Sequence, residues 1–107
     1  MHNIQQMMKK AQELQSKVTE LQEAAKGMTV EGKSGGGLVV VTVTCSGDAK
    51  KVAIDESLMK PEEKEMLEDL IVAAFNDAKK NADTKMSAEM QKITDASGLP
   101  AGMKLPF

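Results

Sequence analysis

The feature that most constrains the fold is a long stretch without helix-breaking residues, because residues 62–97 contain neither glycine nor proline. Apolar residues recur through this stretch at helical spacings of three and four. They are Leu67, Leu70, Ile71, Ala74, Phe75, Ala78, Ala82, Met86, Met90 and Ile93. Pro61 suits the first helical position, and the acidic residues after it favour the positive end of the helix dipole. We therefore predict one helix over about 61–95, roughly 50 Å long.

A second helix is predicted at the N-terminus, where apolar residues occupy the a and d positions of a heptad repeat. They are Ile4, Met7, Ala11, Leu14, Val18, Leu21, Ala25 and Met28. Gly27 suits a C-terminal cap, so this helix should span about 3–26. The e and g positions lack the charge matching of a parallel zipper, which makes an antiparallel partner helix at least as suitable.

Between the two helices the hydrophobic period changes to two, which is typical of strands. We predict three short strands at about 28–33, 38–45 and 50–54, separated by the turn sequences SGGG and SGDA. The middle segment, LVVVTVTC, has apolar residues on both faces, as a central strand requires. The three strands should form an antiparallel meander.

Strands of this length span only about 20 Å, so the long helix should project well beyond the sheet. Its projecting half still carries an apolar row, and we expect the N-terminal helix to cover that row as an antiparallel arm. The expected fold class is α+β: an N-terminal helix, a three-stranded antiparallel meander, a long C-terminal helix and an extended tail over 96–107. Candidate anchors in the tail are Leu99, Met103, Leu105 and Phe107.

The 107 residues fit a single domain over 1–107, and a chain of this size buries only about two thirds of its unfolded surface. There is no Trp or Tyr, and only two Phe, so the core must be modest. We therefore expect a dimer with projecting helical arms, whose shared body is formed by the sheet and the first half of the long helix. The residues assigned to core and dimer packing are Val39, Val41, Val43, Leu67, Leu70, Ile71, Ala74 and Phe75.

Enzymatic chemistry has little support, because the single histidine, His2, and the single cysteine, Cys45, are not accompanied by a pattern that pairs a nucleophile with a base. We expect no catalytic residue, no cofactor and no small-molecule substrate. Cys45 continues the valine face of its strand, which favours ordinary packing. The segment SGGGLVVV lacks the Lys-Ser/Thr of a phosphate-binding loop and leads into a strand, so a hairpin is favoured.

No spacing of Cys and His resembles a zinc site, and no metal ligand is predicted. The carboxylates of 62–69 could hold a divalent cation, but a solvated helix face is the favoured interpretation. No apolar run is long enough to span a membrane or to act as a signal, and one cysteine cannot form an internal disulfide. We therefore expect a cytoplasmic protein without a membrane partner.

The formal net charge is −2, but it is unevenly distributed: residues 55–69 sum to −5 and the rest of the chain to +3. Every basic side chain is lysine, and without the planar fork of arginine no sequence-specific base readout is expected. The lysines of the two helices fit either solvated helix faces or phosphate contacts made without base readout. Some of these lysines have a carboxylate four residues away on the same helix, which allows three ion pairs. They are Glu13 with Lys17, Asp83 with Lys79, and Glu89 with Lys85.

The segments SGGGLVVVTVTCSGDAKKVAIDESL, EMLEDLIVAAFNDAKK and GMKLPF resemble the YbaB/EbfC family of bacterial nucleoid-associated DNA-binding proteins. The resemblance implies a small cytoplasmic homodimer whose sheets and central helices form the body and whose helical arms project like tweezers. It also implies binding to double-stranded DNA, altered DNA conformation, and a role in nucleoid organisation and gene regulation.

Carried over by position, the DNA-binding candidates are the lysines of the N-terminal helix and of the projecting half of the long helix, which give the expected arms a mildly basic character. They are Lys9, Lys10, Lys17, Lys79, Lys80, Lys85 and Lys92. An alternative function is a protein-interaction adaptor that uses Met-rich helical arms without direct DNA binding, because methionine-rich surfaces can adapt to several partners.

Overall fold

The computed structural model describes residues 3–96, which form two helices and three strands. In chain order they are α1 (Asn3–Ala25), β1 (Thr29–Ser34), β2 (Val39–Thr44), β3 (Ala49–Ile54) and α2 (Lys64–Ala96). The expected fold class, an N-terminal helix followed by an antiparallel sheet and a long helix, is confirmed. The expected tail over 96–107 lies almost wholly outside the described residues.

The sheet is a simple meander in the order β1-β2-β3, with β2 in the centre. Ser34 pairs with Val39 across the first hairpin, and Gly36 in the turn has φ +68°, a conformation that glycine adopts without strain. This turn is the hairpin expected from the glycine run. A bulge between Thr42 and Val43 shifts the register of β2 against β3.

Helix α2 lies across β1 and β2 and hardly contacts β3. Its approach to β1 is close because the facing residues are small: Gly32 is buried against the backbone of Ala74 and Ala78. The buried core contains Val39, Val41, Val43, Leu58, Ala74, Ala78 and Ala82. Leu67, Leu70, Ile71 and Phe75 are half-buried and pack against it.

Polar side chains of α2 bind the free edge of β1. The Lys33 backbone N–H donates to Asp77 Oδ2 at 2.9 Å, and Asn81 Nδ2 donates to the Glu31 carbonyl at 2.8 Å. Near the end of the strand, Ser34 Oγ donates to the carbonyl of α2 residue Leu70 at 2.6 Å. These bonds place β1 antiparallel to α2, because successive positions on the strand meet earlier positions on the helix.

The two helices project from the same end of the sheet. Because β1 runs antiparallel to α2, helix α1 reaches the sheet at the end where α2 leaves it, and the two helices contact each other there. Val18, Leu21 and Ala25 of α1 are buried. The resulting molecule is elongated, 72 × 23 × 17 Å, and has the expected antiparallel arm. Neither helix in the described part of the chain is long and apolar enough to cross a membrane.

Candidate nucleic-acid interface

The three candidate lysines of α1 are all exposed, but they are mixed with carboxylates. Lys10 and Lys17 are seven residues apart and therefore lie on the same side of the helix, at 3.6 residues per turn. Glu13 lies between them, three residues after Lys10 and four before Lys17. Lys9 is one residue from Lys10 and points about 100° away from it. Helix α1 thus offers a short lysine row interrupted by a negative charge.

The α2 lysines are divided between the sheet region and the arm. Asn81 still contacts β1, and Ala82 is still buried, so Lys79 and Lys80 lie over the sheet. Only Lys85 and Lys92 lie beyond it. The sequence interpretation placed all four in the projecting half, and for Lys79 and Lys80 this was wrong because contact with β1 begins near Leu70 and not at the helix start.

These four lysines do not share a face of α2. Lys85 and Lys92 are seven residues apart and lie on one side of the helix. Lys79 and Lys80 are six and five residues before Lys85, which turns them away from it by roughly 120° and 140°. The structure therefore divides the candidate lysines into separate groups, whereas sequence reasoning treated them as one surface.

The arm has no net positive charge. We define the arm as α1 together with α2 after Ala82, and it contains five lysines and six carboxylates within the described residues. This corrects the expectation that the arms are mildly basic, which counted the lysines over the sheet as part of the arm. Any attraction of the arm to phosphate must therefore depend on local lysine rows, since the arm as a whole is close to neutral.

One candidate lysine takes part in a close ion pair. Lys92 Nζ lies 2.7 Å from Glu89 Oε2, and this hydrogen bond and charge, with a smaller contribution from Lys85, lower the pKa of the Glu89 carboxyl. The i, i+4 pairing of Glu89 with Lys85 expected from the sequence is thus replaced by an i, i+3 pair. Among residues 4–96, neither Glu13 with Lys17 nor Asp83 with Lys79 forms a salt bridge, so these expected pairs were also wrong. A phosphate at Lys92 would have to compete with Glu89.

A shallow polar groove on α2 contains residues that sequence reasoning missed. It is lined by Asn76, Lys79, Lys80, Asp83, Thr84 and Ser87. Their spacing of three and four is the signal that could have revealed it, because such residues share one helix side. The amide, hydroxyl and ammonium groups of these side chains are hydrogen-bond donors that can bind phosphate oxygens. Within the groove, only the carboxylate of Asp83 would repel a phosphate.

Other possible chemistry in the described residues is limited. Among residues 3–96, no group of three His, Cys, Asp or Glu side chains is arranged to hold a metal ion. Cys45 is a free, half-buried thiol that packs against the core. Asp55 accepts a hydrogen bond from the Ser57 backbone N–H, and its bonds with Ser57 lower the pKa of the Asp55 carboxyl. This is a local turn that leads to buried Leu58.

Comparison with known proteins gives consistent matches over nearly the whole chain. Residues 1–98 match the YbaB/EbfC DNA-binding family. A nucleoid-associated protein of Granulibacter bethesdensis is 50% identical over 107 residues, 100% of both chains. One of Bradyrhizobium diazoefficiens is 53% identical over 97 residues, 91% of this chain and 92% of the relative. The crystal structure of the uncharacterized protein HP0035 from Helicobacter pylori is similar with a TM-score of 0.69 and 26% identity, over 84% of this chain and 95% of that one.

Proposed function

The chain belongs to the YbaB/EbfC DNA-binding family, and on that premise we propose that it is a nucleoid-associated protein that binds double-stranded DNA as a homodimer. The single observation that carries DNA binding is the family match, which extends over α1, the sheet and α2. The names of the bacterial relatives support a place at the nucleoid. Altered DNA conformation, nucleoid organisation and gene regulation are the proposed consequences of this binding.

The proposed contacts are made to phosphates by the lysines of the two helices. They are Lys9, Lys10, Lys17, Lys79, Lys80, Lys85 and Lys92, and all seven are exposed. The neighbouring donors Asn76, Thr84 and Ser87 would add hydrogen bonds to phosphate oxygens near Lys79 and Lys80. With no arginine in the chain, bidentate reading of guanine is not part of the proposal.

The proposed homodimer is supported by an apolar side of the sheet that α2 leaves uncovered. Val52 pairs with buried Val41 and faces the same side of the sheet, yet it is 41% exposed because α2 does not reach β3. Ile54 and Phe75 are only half-buried, and Val72 on α2 is 61% exposed. A second copy packed against this side would bury these residues, which are too apolar to leave in water without cost.

The DNA proposal is tested by measuring affinity over a series of salt concentrations with several unrelated duplexes. If about four phosphates are neutralised, the slope of log affinity against log salt should be near −3.6. In the variant with Lys79, Lys80, Lys85 and Lys92 all changed to Gln, we expect weaker binding on every duplex and a shallower slope. Uniform loss across sequences is expected because phosphate contacts carry no base information.

A charge-matched control separates local contacts from a general loss of positive charge. Changing Lys50, Lys51, Lys60 and Lys64 to Gln removes the same number of exposed charges away from the candidate lysines. This control should retain most of the affinity and the slope. Salt-insensitive binding, no binding at low salt, or equal losses in both variants would contradict the proposed contacts.

The adaptor function is a second candidate because the far end of α1 exposes large apolar side chains. Ile4, Met7 and Met8 are 64%, 66% and 59% exposed. A protein partner held by these residues should bind the variant without the four α2 lysines as well as it binds the wild type, whereas DNA should bind that variant more weakly. Comparing the two ligands on that variant therefore distinguishes the two functions.

A further inference from the structure

One apolar row runs the length of α1, but only its proximal half is covered. Val18, Leu21 and Ala25 have 1%, 9% and 2% of their surface exposed. Ile4 and Met7, at the other end of the same heptad pattern, are 64% and 66% exposed. We call the uncovered end, formed by Ile4, Met7, Met8 and Ala11, the distal stripe.

The distal stripe begins where α2 stops covering α1. Val18 is the buried residue of α1 farthest from the sheet, and residues 4–13 are exposed. From Ala25 back to Asn3, α1 rises about 33 Å, whereas α2 rises only about 21 Å from Ala82, its last buried residue, to Ala96. Because the two helices are antiparallel and project from the same end of the sheet, the outer part of α1 extends past Ala96.

We propose that the distal stripe is the docking surface for the chain's own residues 97–107. These residues follow Ala96, the end of α2, directly, so the new contact would continue the interface that α1 already makes with α2. Their apolar side chains are Leu99, Met103, Leu105 and Phe107, with small residues between them. Eleven residues can reach at most about 40 Å, and Ile4 is only about 11 Å beyond Ala11 along the helix.

The proposed docking would complete the packing of the arm, and it does not depend on whether the protein binds DNA. A covered distal stripe would order the outer half of α1, where Ile4, Met7 and Met8 are otherwise more than half exposed. The competing occupant is the same stripe of a second copy, because a heptad row can pack against itself. The two occupants differ in whether the contact is made within one chain or between chains.

The first test uses the absence of tryptophan in the chain. In the full-length Met7→Trp variant, the tryptophan fluorescence should be shifted to shorter wavelength and protected from quenching by acrylamide. Removal of residues 97–107 should abolish both effects. Gln6→Trp is the matched control and should not respond to the truncation, because Gln6 is exposed and lies about 100° or more around the helix from every residue of the distal stripe. Emission from Trp at position 7 that is unchanged by truncation would overturn the proposal.

The second test identifies the occupant by cross-linking. With Cys45→Ser as background, Met7→Cys is combined with Leu99→Cys or with Met103→Cys and oxidised at low protein concentration. We expect a disulfide within one chain, and none when Gln6→Cys replaces Met7→Cys. A disulfide that joins two chains through Met7→Cys alone, or that forms only between chains, would overturn docking by the chain's own tail.

Discussion

At the scale of single residues, Gly32 decides how closely α2 approaches the sheet. A Cβ atom at this position would overlap backbone atoms of Ala74 and Ala78, both of which have no exposed surface. Backbone atoms cannot move aside as a flexible side chain can. The position therefore tolerates only glycine as long as α2 keeps its present place.

We expect Gly32→Ala to lower the free energy of unfolding by about 1–3 kcal/mol or more, because it overpacks the contact between strand and helix. Urea unfolding followed by circular dichroism measures the change. Gly27→Ala is the control, because its Cβ would lie 3.7 Å from the Ala24 carbonyl oxygen, an ordinary contact, and we expect a change within about 0.5 kcal/mol. Equal stability of wild type and Gly32→Ala would show that α2 can shift without cost.

At the scale of elements, the two edges of the sheet differ. The edge of β1 is bound by the side chains of Asp77 and Asn81, so its backbone groups are not available to another strand. No side chain in the described part of the chain binds the outer edge of β3 in this way, and the adjoining side of the sheet is also uncovered. The second copy in the proposed dimer would therefore have access to the β3 edge and not to the β1 edge.

Replacing both Asp77 and Asn81 by alanine should expose the β1 edge. Each lost hydrogen bond should cost about 1 kcal/mol of unfolding free energy, and the freed edge should raise aggregation on standing. Unfolding curves and light scattering over time measure the two effects. Asn76→Ala, an exposed change on the far side of the same helix, should alter neither; if it matched the double variant, the edge contacts would not be the cause.

At the scale of the whole molecule, the arm and the uncovered side of the sheet suit different partners, which are DNA for the arm and a second copy of the chain for the sheet. The arm lies at one end of a 72 Å particle, and the uncovered apolar side lies beside β3 and α2. A dimer formed through that side would leave both arms free to contact DNA. This arrangement is consistent with the proposed function because the dimer contact and the DNA contacts then use separate residues.

Val52→Lys should dissociate the proposed dimer, because it places a charge on the uncovered apolar side. Sedimentation at micromolar concentration should show a species near 11.5 kDa for this variant and near twice that mass for the wild type. Ala53→Lys is the matched control, since Ala53 pairs with Val40 on the opposite face of the same strand. A wild-type protein that sediments as a single chain would contradict the dimer, and so would dissociation of the control.

The sequence alone was sufficient for the elements because helices and strands depend on local periodicity. The stretch without glycine or proline predicted α2, the heptad row predicted α1, and the alternation around Val41 predicted the central strand. The glycine run predicted the first hairpin for the same reason, since its backbone conformations are open chiefly to glycine. Each of these signals lies within a few neighbouring residues.

Only the tertiary structure decided where α2 sits on the sheet. That position depends on Gly32 meeting Ala74 and Ala78, residues more than forty positions away in the chain, and periodicity contains no information on such an offset. The position moved Lys79 and Lys80 from the arm to the sheet, left the arm without net positive charge and assigned Asp77 and Asn81 to the β1 edge. Local sequence therefore determined what the elements are, and the close contact between distant small residues determined which charges share a surface.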